Sequence, residues 1–275
     1  MVEEAPTHES LRPEARWLYG ADASGYDAGR PDYPESVYAV LVESCGLQAG
    51  VDVVECGPGS GQVTRRLVAA GARVVAVEPD PGMRTFLRQI LPAPDVEIIQ
   101  ATFEDAPLAR DHFDLMVAAT SFHWVDQTVG LNKVMDALRP GGWAAIWWTI
   151  FGDPLRPDTF NEVLTELLGR DPGHQAPGSR FQLDEGSRRA DLTSAGFENV
   201  SSNRIEWTAS MSTESTRALY NTMINVRCLP EAERARILDA IESVVDDRFG
   251  GFVERPFVTV LYCGQKPWRD NGKRI

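Results

Sequence analysis

Three glycines spaced one residue apart, in Cys56-Gly57-Pro58-Gly59-Ser60-Gly61, follow the apolar run Val53-Val54-Glu55, and a second run, Val74-Val75-Ala76-Val77, ends on Glu78. Glycines so placed let the backbone turn sharply and come close to a ligand with no Cβ in the way. A carboxylate at the end of the neighbouring strand can accept two hydrogen bonds from a ribose diol. The pairing therefore points to a nucleoside-binding crevice. A dinucleotide fingerprint would carry a third glycine, G-x-G-x-x-G, to let the following helix pack closely. That position is Gln62 here, and the G-x-G-x-G spacing of Gly57, Gly59 and Gly61 leaves the turn open for a bulkier, non-phosphorylated group.

The elements that must hold these residues follow from hydrophobic period. Apolar β-prone runs alternate with helix-period segments, which predicts an α/β protein with a parallel sheet wrapped by helices. Strands are expected near 52–56, 73–78, 95–99, 113–118 and 142–149, then near 199–208 and 256–263. Helices are expected over 34–45 and 62–70. Another carries Leu131, Val134, Met135 and Leu138 at i, i+3, i+4, i+7, and Pro140-Gly141-Gly142 is expected to end it. After Ile150, residues 152–186 are rich in Pro, Gly and charge, with one short helical stretch, 159–168. This reads as an insertion over the site. A helix near 187–195 and a helical pair near 213–226 and 230–248 follow, the second with Ile237, Leu238, Ile241, Val244 and Val245 on one face.

Five stretches together carry a family resemblance: the glycine turn; Tyr26-Asp27-Ala28-Gly29-Arg30-Pro31-Asp32-Tyr33-Pro34; Glu78-Pro79-Asp80-Pro81-Gly82-Met83; Phe113-Asp114-Leu115-Met116-Val117 with Ser121-Phe122-His123-Trp124; and Leu138-Arg139-Pro140-Gly141-Gly142. In this order the chain resembles class I S-adenosylmethionine-dependent methyltransferases of the small-molecule type, related to the trans-aconitate and ubiquinone-biosynthesis enzymes. The resemblance implies a Rossmann-like, seven-stranded mixed sheet, mostly parallel with the last strand antiparallel, flanked by helices, with an N-terminal flap and a helical lid insertion. The corresponding division is a flap over 1–33, a cofactor-binding core over 34–150, the insertion over 151–186, the rest of the core with substrate-lid helices over 187–266, and a basic tail over 267–275.

The same resemblance implies roles. Glu55 lies close to the amino-acid moiety of S-adenosylmethionine, and Met83 packs on the adenine. Thr102, Phe103 and Glu104 read the adenine edge, although many relatives carry an acid where this chain has Thr102, so Glu104 or the Phe103 amide is the substitute. Thr120 or Ser121 contributes backbone beside the sulfonium, and Arg30 and Tyr26 belong to the flap, near the cofactor carboxylate and the methyl donor. Glu78 with Pro79 closes the ribose side. Each has a plainer reading: Glu55 as a strand-end charge, Glu78 as a helix-start carboxylate, Met83 as core, and the flap as an unstructured lead-in. His123 is the candidate general base, since imidazole titrates near neutrality, against a role in shaping the site beside Trp124. Trp124, Trp147, Trp148, Arg180, Phe181, Tyr220, Asn221 and Arg227 are substrate-wall candidates, each weighed against core or solvated surface.

Composition bounds the partners. A net charge of −13 opposes a nucleic-acid substrate, which would need a basic face. Cys45, Cys56, Cys228 and Cys263 show no C-x-x-C spacing, so neither a disulfide framework nor a zinc site is indicated. No apolar run approaches the roughly 20 residues of a membrane span, and no signal-like segment opens the sequence. The expectation is a cytoplasmic monomer or homodimer that turns S-adenosylmethionine into S-adenosylhomocysteine on a small-molecule acceptor. No clustered carboxylates suggest a magnesium site, and no metal is expected. Two alternatives stand beside it: an NAD-dependent oxidoreductase, and a non-catalytic scaffold that keeps the cofactor.

Overall fold

The computed structural model describes residues 18–91, 96–169 and 181–268. After a 3-10 turn at Gly20–Asp22 come α1 (Ala23–Gly29), α2 (Glu35–Glu43), β1 (Asp52–Cys56), α3 (Gln62–Ala69), β2 (Arg73–Val77), α4 (Pro81–Ile90), β3 (Val96–Ile99) and β4 (Phe113–Ala119). A 3-10 turn at Phe122–Trp124 leads into α5 (Gln127–Ala137), β5 (Leu138–Ile150), α6 (Thr159–Leu168), α7 (Glu185–Ser194), β6 (Glu198–Ser212), α8 (Thr213–Asn221), α9 (Ile224–Arg227), α10 (Glu231–Phe249) and β7 (Phe252–Gln265).

The seven strands form one mixed, mostly parallel sheet in the order β3-β2-β1-β4-β5-β7-β6. Strands β3 to β5 are parallel, with Val53 opposite Val74 on one side and opposite Leu115 on the other. Central strands in such a sheet are covered on both faces and so read as continuous apolar runs, and Phe113 through Ala118 are indeed all buried. The chain leaves β1 for β2 and β3, then returns to the far side of β1 as β4. Loops diverge at that reversal, and the carboxyl ends of β1 and β4 leave a crevice between them.

One boundary departs from the sequence expectation. Helix α5 ends at Ala137, so Pro140-Gly141-Gly142 does not terminate it. Leu138 is already extended, at φ −68° and ψ 141°, and faces Phe113. The residue before a proline is pushed out of the helical region, which makes Arg139 extended too. Register then jumps from Leu138 opposite Phe113 to Trp143 opposite Leu115, so the Pro-Gly-Gly segment is an irregularity inside β5. Leu138 is fully buried there, which is why it completes an apparent helical stripe in sequence.

Two compact units divide the chain. One comprises residues 34–148, 182–205 and 260–275, and carries the crevice. The other comprises residues 1–33, 149–181 and 206–259. Its core gathers Phe160 and Leu164 of α6, Leu219 and Tyr220 of α8, Phe257 of β7, and all five residues of the α10 stripe. Arg255 sits within this core with no exposed surface. Its Nε donates to Asp158 Oδ2 (2.9 Å), its Nη1 to the Tyr220 hydroxyl (3.1 Å), and its guanidinium lies 4.9 Å from the centre of the Phe160 ring. Asp158 also caps α6, accepting from Asn161 N at 3.0 Å. Among the described residues no helix is long and apolar enough to cross a membrane.

Candidate cofactor site

The turn after β1 uses its glycines for different ends. Gly57 (φ 66°) lies against Ser121, whose Cβ would stand 2.7 Å from a Cβ added to Gly57. Ser121 in turn donates its hydroxyl to the Cys56 carbonyl, tying the loop after β4 to the end of β1. Gly61 (φ 82°) is the N-cap of α3. A Cβ on Gly59 (φ 56°) would meet nothing within 4 Å. Gly57 therefore closes the fold, whereas Gly59 presents bare backbone to an open space.

Two carboxylates line that backbone. Glu78 is 5% exposed; its Oε2 accepts from Gly59 N (3.0 Å) and its Oε1 from Asp80 N (2.9 Å). Burial pushes its pKa up to about 7, against the pull of those two amides. Glu55 is buried at the end of β1 and accepts from the Thr64 hydroxyl of α3 at 2.7 Å. Burial raises it to about 7 as well, opposed by the Thr64 hydrogen bond and reinforced by the charge of Glu78. Carboxyl groups poised so high in one crevice mark a candidate functional site. Asp80 caps α4 by accepting from Gly82 N (2.7 Å) and Met83 N (3.2 Å), and Arg84 Nη1 donates to the Pro79 carbonyl at 2.6 Å. The Glu78-to-Met83 segment is thus held by hydrogen bonds from Asp80, Gly82, Met83 and Arg84. Motif spacing singles out neither Thr64 nor Asp80 as a partner of these acids.

The remaining crevice candidates are Met83 in α4 and residues on the loops after β3 and β4. Met83 and Phe103 are 3% exposed, and Phe103 meets Phe122 edge-on at 6.2 Å. The Thr102 hydroxyl donates to Asp105 Oδ2 (2.8 Å), while Glu104 Oε1 accepts from Asp126 N (3.1 Å) and so braces the start of α5. Thr120 is left-handed at φ 52° and donates its amide to the Trp147 carbonyl at 2.7 Å. A threonine held there stores strain of about 1–3 kcal/mol, the kind found at ligand sites. His123 lies 4.9 Å from Trp124, ring centre to ring centre, and its Nδ1 accepts from the Trp148 indole N–H at 3.1 Å. Among the described residues no group of three or more His, Cys, Asp or Glu is placed to hold a metal ion.

The other unit holds the flap residues and the wall candidates Phe181, Tyr220, Asn221 and Arg227. Tyr26 packs edge-on against Tyr19 at 5.2 Å, and the Arg30 guanidinium lies 5.1 Å from the Tyr26 ring centre and 4.8 Å from that of Phe151. Arg30 Nη2 donates to the Thr222 carbonyl (3.2 Å), and Arg227 Nη2 to the Leu18 carbonyl (2.9 Å). Tyr220 is fully buried against Arg255, and Asn221 ends α8 half-buried. Trp147 and Trp148 are buried in β5, Phe181 is half-buried in a 3-10 turn, and Arg180 lies outside the described residues.

Residues 54–146 match the sequence profile of a family described as a methyltransferase domain. This stretch marks a methyltransferase domain with S-adenosylmethionine as its cofactor. An uncharacterized methyltransferase of Mycobacterium tuberculosis is 28% identical over 227 residues, covering 82% of this chain and 85% of that protein. Among solved structures, a putative type II methyltransferase from Anaeromyxobacter dehalogenans superposes with a TM-score of 0.63 at 23% identity, over 87% of this chain and 99% of that one. A phosphoethanolamine N-methyltransferase from Haemonchus contortus, solved with phosphomonomethylethanolamine and S-adenosylhomocysteine, superposes with a TM-score of 0.56 at 13% identity, over 93% of this chain and 59% of that one. Such distant likenesses establish the methyltransferase fold. The residues of the crevice fit the cofactor, since the open side of Gly59 and the buried Glu78 beside it give a ribose room and an acceptor pair.

Proposed function

We propose that the protein transfers the methyl group of S-adenosylmethionine to an oxygen or nitrogen, less readily a carbon, of a small organic molecule. The bare backbone at Gly59 beside the buried Glu78 carboxylate carries the donor half of this reading. When bound, the cofactor supplies a methyl carbon on a positively charged sulfur, open to in-line displacement by a lone pair. The protein then has to align that lone pair and exclude water, so proximity and orientation supply most of the acceleration and electrostatics the rest.

In this reading Glu78 accepts the ribose hydroxyls, Glu55 faces the amino-acid end, and Met83 packs on the adenine, whose edge is read from Thr102, Glu104 or the Phe103 amide. Thr120 and Ser121 line the sulfonium side. Tyr26 and Arg30 keep the flap roles that the family resemblance implies. The net charge of −13 favours a small acceptor over nucleic acid, and the reading includes a cytoplasmic monomer or homodimer. Incubating the protein with methyl-labelled S-adenosylmethionine and a panel of small hydroxyl, carboxyl and amine compounds tests it. Label in a small-molecule product supports the proposal, and label found only in protein or nucleic acid contradicts it.

A further inference from the structure

The bond between Trp148 and His123 constrains the chemistry His123 can perform. An indole nitrogen has a hydrogen to give and no lone pair to offer. At 3.1 Å from His123 Nδ1, Trp148 Nε1 is therefore the donor, and Nδ1 must be the unprotonated nitrogen. A neutral imidazole carries its single hydrogen on the other nitrogen, which here is Nε2. Trp148 is only 2% exposed in β5, a strand paired directly with β4, so the donor is held by the sheet. His123 sits on the short turn that follows β4, two residues after the Ser121 that is tied to the end of β1. It therefore stands at the carboxyl edge of the sheet where the crevice opens.

Resting on the methyl-transfer reading above, we propose that Trp148 is a positioning residue that locks His123 as the Nε2–H tautomer, so that His123 meets the methyl acceptor as a hydrogen-bond donor and not as a general base. A base would need an imidazole lone pair aimed at the acceptor's proton. In this arrangement one nitrogen is occupied by the indole and the other carries a hydrogen. His123 can instead hold an acceptor lone pair that is not engaged with the methyl carbon, leaving the reacting lone pair free. A proton carried by the acceptor atom goes to water.

Long-range nitrogen–proton correlation spectra of the full chain, labelled with 15N at histidine and tryptophan, test the assignment without an acceptor. The His123 signals are those lost in His123→Gln. The expected result is a pyridine-like Nδ1, a pyrrole-like Nε2, and a through-hydrogen-bond coupling between the Trp148 indole nitrogen and Nδ1. In Trp148→Phe the two imidazole nitrogen shifts move toward each other as the tautomers mix. A protonated Nδ1, or no coupling in the unaltered protein, overturns the proposal. The coupling needs no variant, so it decides the matter even where Trp148→Phe fails to fold. Calorimetry with S-adenosylhomocysteine reads the cofactor site separately, and retained binding with the wrong tautomer rejects only the role of Trp148.

Discussion

The crevice at the carboxyl end of β1 and the core around Arg255 both bury charge, and they do so in opposite ways. In the crevice, Glu78 is satisfied by two backbone amides and Glu55 by one hydroxyl, and among the described residues no cation is bonded to either. Both are pushed up to about 7 by burial. Around α6 and α8, Arg255 is fully buried against a carboxylate and three aromatic rings, one of them the Tyr220 phenol to which it also donates. Backbone donors leave a carboxylate able to exchange partners for a ligand. A side-chain cation paired inside a core serves the packing of that core. The contrast separates a site built for an incoming group from a site built to hold its own unit together.

The largest expected effect lies in the second region. Asp158→Ala leaves the Arg255 cation unpaired in the core and removes the α6 cap, so stability should fall by about 3–5 kcal/mol. Urea unfolding reads this, and a loss below about 1 kcal/mol would mean that Arg255 is not held by that pair. In the crevice the glycines divide. Gly57→Ala forces a left-handed alanine, at about 1–2 kcal/mol, and drives its Cβ into Ser121, at about 1–3 kcal/mol more. Gly59→Ala should cost only the left-handed term, about 1–2 kcal/mol, yet weaken cofactor binding. Equal losses of stability in the two variants would erase the distinction between a glycine that closes the fold and one that faces a ligand.

A smaller effect follows from the acids. Each has a folded pKa of about 7 against an ordinary value of 4.5. The folded protein therefore keeps protons that the unfolded chain releases, and the slope of stability with pH is negative between those values. This contribution is complete below about pH 4.5 and is lost as pH rises through 7. Unfolding free energies at pH 5, 6 and 7 should decline, and Glu55→Gln should flatten the decline. A rise across that window in the unaltered protein, unchanged in the variant, would show that the buried acids do not govern it.

How legible each region was follows from the range of its interactions. Strand β1, the glycine turn and the start of α3 lie within a few residues, and each glycine answers a local backbone demand, so spacing exposed them. The division of labour among those glycines did not show, because the neighbour of Gly57 comes from Ser121, on the loop after β4. Likewise the Trp148–His123 bond spans 25 residues, and Trp148 reads from sequence only as a wall or a core aromatic. Arg255 carries no local signal: its strand begins at Phe252, ahead of the expected 256, and its partner Asp158 lies 97 residues away. Leu138 misled for a related reason, since burial in β5 and burial on α5 ask for the same side chain.

Calorimetric titration of the protein with S-adenosylhomocysteine and with NAD, repeated on Glu78→Gln, tests the central claim most directly. Saturable binding of S-adenosylhomocysteine, no binding of NAD, and a loss of about 2 kcal/mol in Glu78→Gln, roughly thirtyfold in Kd, are predicted. Preference for NAD, or binding of S-adenosylhomocysteine indifferent to Glu78, would contradict it.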